Sequence, residues 1–212
     1  MTRIAAVVLA AGSSTRFAAQ GGVEETKLVA TLDDQPIVRR VVRAALASRA
    51  RPVIVVVGHA RRAVEEAIAD LPAAIAVNPD YASGLASSLR VGLKTTPGDA
   101  GGAVVLLGDM PKVEAGLINA LIDAFLVQKH ARAVAPMQGG RRGNPVLLGR
   151  TLFEEAERLS GDQGARRLLS ALDSRSVLEI DADGFDVSFD IDGPSDLAYA
   201  RRKYIPREGF GD

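Results

Sequence analysis

Asp109, Arg16 and Lys27 are the side chains whose types and positions could do chemistry on an anionic substrate. Asp109 stands in Gly108-Asp109-Met110-Pro111, directly after the apolar run Ala103 to Leu107. A carboxylate at the carboxyl end of a buried strand, with a proline ending the pairing, is placed to ligate Mg²⁺ over a ligand. Asp109 is too far upstream to cap the helix expected from Glu114, so metal binding is the favoured role. A second acidic pair, Asp190 and Asp192, precedes Pro194, which suits the first turn of a helix. Capping accounts for one of these aspartates and not for both.

The cations follow a different signal. From Ile4 to Ala11 the chain is apolar without a break, and Gly12-Ser13-Ser14-Thr15 then opens a stretch of small residues ahead of Arg16. Such a loop, leaving a strand buried on both faces, lets main-chain N–H groups approach phosphate oxygens with no side chain in the way. A guanidinium and an ammonium beyond it would neutralise a triphosphate. Two better-known loops are excluded: a dinucleotide fingerprint needs G-x-G-x-x-G, and a P-loop needs a Gly-Lys pair where Phe17 and Ala18 stand. The stretch itself supports a phosphate-binding loop, with Leu9, Ala10, Ala11, Gly12, Ser13 and Ser14 as the candidate residues lining the ligand.

Three further segments carry polar groups between apolar runs. Asn78-Pro79-Asp80-Tyr81-Ala82-Ser83-Gly84-Leu85-Ala86-Ser87-Ser88-Leu89-Arg90 opens a helix, with Ser83 or Ser87 as a cap, while Asn78, Gly84, Ser87 and Ser88 also suit the wall of a base pocket. Arg90 is open between phosphate and a surface carboxylate. Arg141-Arg142-Gly143-Asn144-Pro145 reads as a Gly/Pro turn or as an anion-binding loop through Arg142, Gly143 and Asn144. Ser160-Gly161-Asp162-Gln163-Gly164-Ala165-Arg166 begins another helix, with Asp162 as its cap and with Asp162 and Arg166 near a second substrate's phosphate. His59 and His130 lack ligand-like spacing and are assigned to structure.

The elements that must hold these residues alternate. Buried strands are expected at Pro52–Gly58 and Ala103–Leu107, further strands at Ala74–Val77, Ala133–Met137 and Val177–Ile180, and helices at Ile37–Ser48, Ala60–Ala69 and Glu114–Gln128. That alternation predicts a mostly parallel sheet, with ligands at the carboxyl ends of its strands. A short strand is expected over Leu28–Leu32, and Phe17 to Thr26 reads as a mobile loop over the site. Composition narrows the function. Twenty-six Lys and Arg balance 26 Asp and Glu, and there is no Trp, so neither a basic field nor stacking platforms recruit nucleic acid. With no Cys, thiolate catalysis and Cys-based zinc sites are excluded. A chain of 212 residues suits one domain, 1–204, ahead of a frayed tail. No apolar run is long enough for a bilayer, and a cytoplasmic setting is expected.

Taken in order, L-A-A-G-x-S-x-R with a following lysine, N-P-x-x-x-x-G-x-x-x-S-L-R, G-D-M-P, R-G-N-P-V-L, G-D-x-G-A-R and D-I-D-x-P resemble the molybdenum cofactor cytidylyltransferases. These belong to the nucleotidyltransferase superfamily of the nucleotide-diphospho-sugar-transferase fold. The likeness runs from Val8 to Leu197. It implies a three-layer α/β/α, Rossmann-like fold and a Mg²⁺-dependent enzyme. It also implies that Asp190 or Asp192 supplies the second metal carboxylate beside Asp109, and that CTP and a phosphorylated pterin are the substrates. A molybdoenzyme or its maturation chaperone is the protein partner it implies. The chain departs from the family in the longer spacing from Arg16 to Lys27, and in Gly193 and Ser195 where Thr and Glu are usual. The family's cytidylyl enzymes share Ala10-Ala11, whereas guanylyl relatives tend to carry glycine at the position of Ala11. A guanylyltransferase, another phosphate acceptor, or a non-catalytic carrier of the cofactor are the alternatives.

Overall fold

The computed structural model describes residues 2–128 and 130–203. The tail expected to fray, 205–212, lies outside the described residues. In chain order the elements are β1 (Arg3–Ala10), α1 (Thr15–Ala19), β2 (Thr31–Leu32), β3 (Gln35–Pro36), α2 (Ile37–Ala47), β4 (Val53–Val57), α3 (Arg61–Ala67), β5 (Ala74–Val77) and α4 (Leu85–Thr95). They continue with β6 (Ala100–Leu107), α5 (Ala115–Val127), β7 (Ala133–Gln138), β8 (Arg141–Arg142), β9 (Val146–Gly149), α6 (Phe153–Ala156), α7 (Ala165–Ala171), β10 (Val177–Asp181) and α8 (Pro194–Lys203). The main sheet runs β10-β7-β9-β6-β1-β4-β5, with β8 paired to β7.

β1 is the organising strand. It pairs in parallel with β4 on one side and β6 on the other, and its side chains alternate between two cores. Ile4, Ala6, Val8 and Ala10 pack against α2, α3 and α5, whereas Ala5, Val7, Leu9 and Ala11 pack against α4, α6 and α7. A sheet buried on both faces by helices is a three-layer α/β/α arrangement, and that is why β1 reads as a continuous apolar run. Helix α4 approaches β1 closely at Gly92, where a Cβ would collide with Val7. The sheet is mostly parallel, but β9 runs antiparallel to both β6 and β7. The strands β1, β4, β5 and β6 end along one edge, and the loops that leave them there carry the polar motifs.

Local structure departs from the sequence expectation in three places. The segment 27–32 is not one strand: Lys27–Val29 is a 3₁₀ turn capped by Thr26, and only Thr31–Leu32 pairs, antiparallel with β3. Phe17 is not part of a free loop. It lies in α1, 1% exposed, in a small core with Ala30, Leu32, Ile37, Ile191, Leu197 and Ala200. Neither Ser83, Ser87 nor Asp162 caps a helix. Gly84 and Gly164 occupy the N-cap positions of α4 and α7, with no side-chain cap at either. Among the described residues, no helix is long and apolar enough to cross a membrane.

Candidate active site

The loop after β1 returns to the site through hydroxyls. Ser14 takes a left-handed conformation at φ 52°, and its Oγ lies 2.8 Å from Thr26 Oγ1. The Lys27 N–H donates to the same Ser14 Oγ at 3.2 Å. Thr26 is fully buried, and its Oγ1 also accepts from the Leu28 N–H at 3.4 Å. This clamp fixes where Lys27 re-enters, despite the long spacing from Arg16. Gly12 differs from the residues around it. A Cβ added there would meet no atom within 4 Å, so nothing in the chain's own packing requires the glycine.

The three carboxylates meet at the end of β6. Asp109 follows Leu107 and Gly108, where the close approach to β1 leaves only 2.9 Å between an added Cβ and the Leu9 carbonyl oxygen. The Ile191 N–H donates to the Asp109 carbonyl at 3.0 Å, and buried Ile191 anchors that strap in the core. The strap sets Asp190 and Asp192 on either side. Asp196, inside the first turn of α8, accepts from the Asp192 and Gly193 N–H groups at 3.0 and 2.8 Å. That cap leaves both other aspartates unused by the helix. One carboxylate oxygen from each of Asp109, Asp190 and Asp192 lies within 4.8 Å of the others.

Charge in this cluster is balanced from the phosphate-loop side. Lys27 Nζ bridges Asp109 Oδ2 at 2.7 Å and Asp192 Oδ1 at 3.1 Å. Arg16 pairs with Asp192 Oδ2. Burial by itself would lower the Lys27 pKa; the carboxylates of Asp109 and Asp192 outweigh it and hold the ammonium above its ordinary value. Asp190 also moves up, which in a carboxyl favours the neutral form: partial desolvation, then the nearby charges of Asp109 and Asp192, raise its pKa. Among the described residues, Asp109 Oδ1 is a buried oxygen with no hydrogen-bond partner. A hard oxygen left unpaired, in reach of two more carboxylates, fits a divalent cation that prefers oxygen ligands.

Two clefts flank this cluster. One, about 440 Å³, includes Leu9, Ala11, Gly12, Ser13, Ser14, Arg16, Lys27, Tyr81, Gly84, Ser88, Asp109 and Asp162 in its lining. The other, about 1100 Å³, takes in Asp190 and Asp192 together with Lys112, Glu114, Gln138, Phe185, Phe189 and Tyr199. Lys112 Nζ sits 4.1 Å from the Phe189 ring centroid and 3.4 Å from Asp186. Sequence gave no signal for this aromatic wall, because Phe185, Phe189 and Tyr199 converge from a loop and a helix that share no periodicity.

Several expected contacts fall elsewhere. The Ala10 side chain packs in the core on the α2 and α5 face of the sheet, away from the smaller cleft. Asn78 is 1% exposed and donates through Nδ2 to Ser87 Oγ at 2.8 Å and Ser88 Oγ at 3.0 Å, so it braces α4 rather than lining the cleft. The Ser87 hydroxyl is spent on the Gly84 carbonyl at 2.8 Å. Arg90 donates to the Leu159 carbonyl at 3.1 Å, which is neither of the two partners expected.

The R-G-N-P segment is likewise structural in part. The Gly143 and Asn144 N–H groups donate to Pro136 and Val187 carbonyls at 2.9 and 2.8 Å, tying this turn to the segment that leads to Asp190. Arg142 Nε pairs with Glu179 at 2.7 Å. Arg142, Gly143, Asn144 and Arg166 border a separate cavity of only about 30 Å³, apart from the two clefts. Asp162 is not with them; it lines the smaller of the two clefts. Of the histidines, His59 packs its ring on Tyr81 at 5.9 Å between centroids.

Comparison with known proteins accords with this geometry. The family model of the MobA-like NTP transferase domain matches residues 6–176. The purine catabolism protein PucB of Bacillus subtilis (strain 168) is 30% identical over 211 residues, covering 92% of this chain and 95% of that protein. The bifunctional protein GlmU of Clavibacter sepedonicus is 32% identical over 151 residues, but the match covers only 29% of its length. Among solved structures, Rv0371c of Mycobacterium tuberculosis H37Rv superposes with a TM-score of 0.81 at 28% identity, over 95% of this chain and 98% of that one. A second structure of Rv0371c is a complex with manganese, at a TM-score of 0.80.

Proposed function

The chain belongs to the MobA-like NTP transferase domain family, and from that premise we propose that it moves CMP from CTP to the terminal phosphate of molybdenum-loaded molybdopterin. The observation that carries the reading is the place of the carboxylates. Asp109 opens on the cleft with the Gly12 loop, while Asp190 and Asp192 open on the larger cleft, so the trio stands between two clefts, and that supports reading the smaller as the nucleotide's and the larger as the acceptor's. An acceptor phosphate oxygen attacks the α-phosphorus; the bond to the bridging oxygen of the β-phosphate breaks, and pyrophosphate leaves with that electron pair. This requires alignment and charge neutralisation rather than a protein nucleophile.

Asp109 with Asp190 or Asp192 would hold Mg²⁺, which when bound lowers the charge that repels the attacking oxygen. Lys27 and Arg16, now paired with Asp109 and Asp192, would turn to the triphosphate and steady the leaving pyrophosphate. The Gly12 loop supplies main-chain donors without steric cost. The methyl of Ala11, which lines the same cleft, narrows the space for a purine. The motif resemblance, not the geometry, supplies the pterin acceptor and the cytoplasmic setting.

A second reading keeps the transfer and changes the acceptor to a sugar phosphate. The nucleotide-diphospho-sugar-transferase fold that the motifs resemble motivates it; the matched part of GlmU is 29% of that relative's length and by itself names no acceptor. One experiment separates the two: incubate the protein with Mg²⁺, each NTP in turn, and either molybdenum-loaded pterin or a sugar 1-phosphate, and follow pyrophosphate. Release with CTP and the pterin is expected. Release with the sugar phosphate alone overturns the acceptor, and release with GTP in preference to CTP overturns the base.

A further inference from the structure

We propose that Asp162 is a specificity-determining residue of the nucleotide-side cleft, its carboxylate accepting a hydrogen bond from the nucleoside half of the incoming NTP. The inference rests on the nucleotidyl-transfer reading and adds a residue to it. Its basis is the way the loop of residues 160–164 docks on the start of α4. Gly84 takes φ 102° there, and a Cβ on it would collide with the Gly161 carbonyl group and come within 2.9 Å of the Asp162 N. The Ala86 N–H donates to the Gly161 carbonyl at 3.0 Å, and Gly164 leaves only 2.7 Å between an added Cβ and Leu85 Cδ2. Two glycines and a main-chain bond therefore hold this loop as a wall of the cleft, with Asp162 on it.

The carboxylate has no other employment. Gly164, not Asp162, is the N-cap of α7, and Arg166 donates instead to the Arg142 carbonyl at 3.4 Å. Among the described residues, none makes a hydrogen bond or ion pair with the Asp162 side chain. Electrostatics decides which part of a nucleotide it can meet. An uncompensated carboxylate repels a triphosphate, and the cations of this cleft, Arg16 and Lys27, belong to the loop after β1. Asp162 belongs to the opposite border, beside Gly84 and Leu85. A group there that only accepts hydrogen bonds selects an O–H or N–H donor. In CTP that donor is a ribose hydroxyl or the exocyclic amine of the base.

Isothermal titration in Mg²⁺ tests the inference and tells the two donors apart. The ligands are CTP, 2′-deoxy-CTP, 3′-deoxy-CTP and the triphosphate of the pyrimidin-2-one riboside, which lacks the amine. Wild-type protein should bind one of the three analogues about 10-fold more weakly than CTP: Asp162 is exposed until a ligand covers it, and an analogue lacking the donor would leave the covered carboxylate unpaired. D162A should weaken CTP and erase that one gap, and D162N, which keeps a carbonyl acceptor, should restore part of it. D162A that binds CTP as the wild type does, or that weakens all four ligands by one factor with the gaps intact, overturns the proposal while leaving nucleotidyl transfer standing. Wild-type protein that binds none of the four overturns both.

Discussion

Lys27 holds together carboxylates that a divalent cation would also claim, and this makes its replacement informative. Removing the ammonium, as in Lys27→Met, leaves Asp109 and Asp192 without their shared counter-charge. Mn²⁺ affinity without nucleotide should rise in that variant, read by electron paramagnetic resonance, while kcat/KM falls by roughly 100-fold or more as phosphate stabilisation is lost. If Mn²⁺ binding is unchanged, the ammonium and the metal do not compete. Asp109→Asn should reduce turnover by about 1,000-fold, or ~4 kcal/mol of barrier, with a circular dichroism spectrum like the wild type. Gly12→Ala separates fold from function: an added Cβ meets no protein atom, so melting should hold within about 0.5 kcal/mol while CTP affinity drops. The pKa of Asp190 gives a pH dependence with a definite sign. Its folded value is raised above the ordinary 3.8 by desolvation and by Asp109 and Asp192. The folded protein thus binds more protons than the unfolded chain between those two values, and metal-free stability declines as pH rises through that window. Metal binding needs the ionised form, so the gain in melting temperature on adding Mn²⁺ should grow with pH over the same window and shrink in Asp190→Asn.

At the level of elements, the segment between β1 and β2 joins the phosphate loop to a core of its own. Phe17 fixes α1, and Thr26 fixes the return. Phe17→Ala should cost about 3 kcal/mol for a buried aromatic, at the low end because its cluster is small. It should also raise hydrogen exchange across residues 15–27, where Arg16 and Lys27 reside. Stability loss with no change in local exchange would mean that the loop is held by something other than Phe17. Much of this was legible in part. The alternation of β1, β4, β6 and β7 with α2 and α5 followed from apolar periodicity, because each strand is buried on both faces and each helix on one. The loop's order was not legible, since a lone phenylalanine among Gln20, Gly21, Gly22 and Glu24 carries no period. Its partners, Ile191 and Leu197, come from the far end of the chain. Caps misled for a related reason: Ser83, Ser87 and Asp162 have the right chemistry at nearly the right place, yet the structure used glycine at both N-caps and spent Ser87 inside α4. The acidic pair resolved well, because Asp196 took the cap that Asp190 and Asp192 could not both fill.

For the molecule as a whole, the order of motifs along the chain was a sound guide to the fold and an uneven one to the site. Gly12 and Asp109 came together because the parallel strands β1 and β6 end on one edge, and Lys27 joins them through the Ser14–Thr26 clamp. Arg142 and Arg166 went to a cavity of their own because the sequence cannot tell which face of a hairpin turns toward a cleft. Ala11 and Gly84 both line the smaller cleft, and the proposed choice of CTP rests on the methyl of Ala11 there. With CTP and GTP competing at equal concentration, the cytidine product should dominate, and Ala11→Gly should narrow the ratio by no more than about 100-fold, the range one methyl commands. A mostly guanosine product from wild-type protein would exclude the Ala11 argument. The direction of β9 is the feature with the widest reach. Since β9 alone joins β6 to β7 in the sheet order, the part of the sheet made of β1, β4, β5 and β6 is already complete when the ribosome has released residue 107, and β7 and β10 have no seat until residues 146–149 emerge. Synthesis from the N-terminus should therefore yield a protease-resistant nucleotide-side half first, with the acceptor-side strands added afterwards as a second cooperative step.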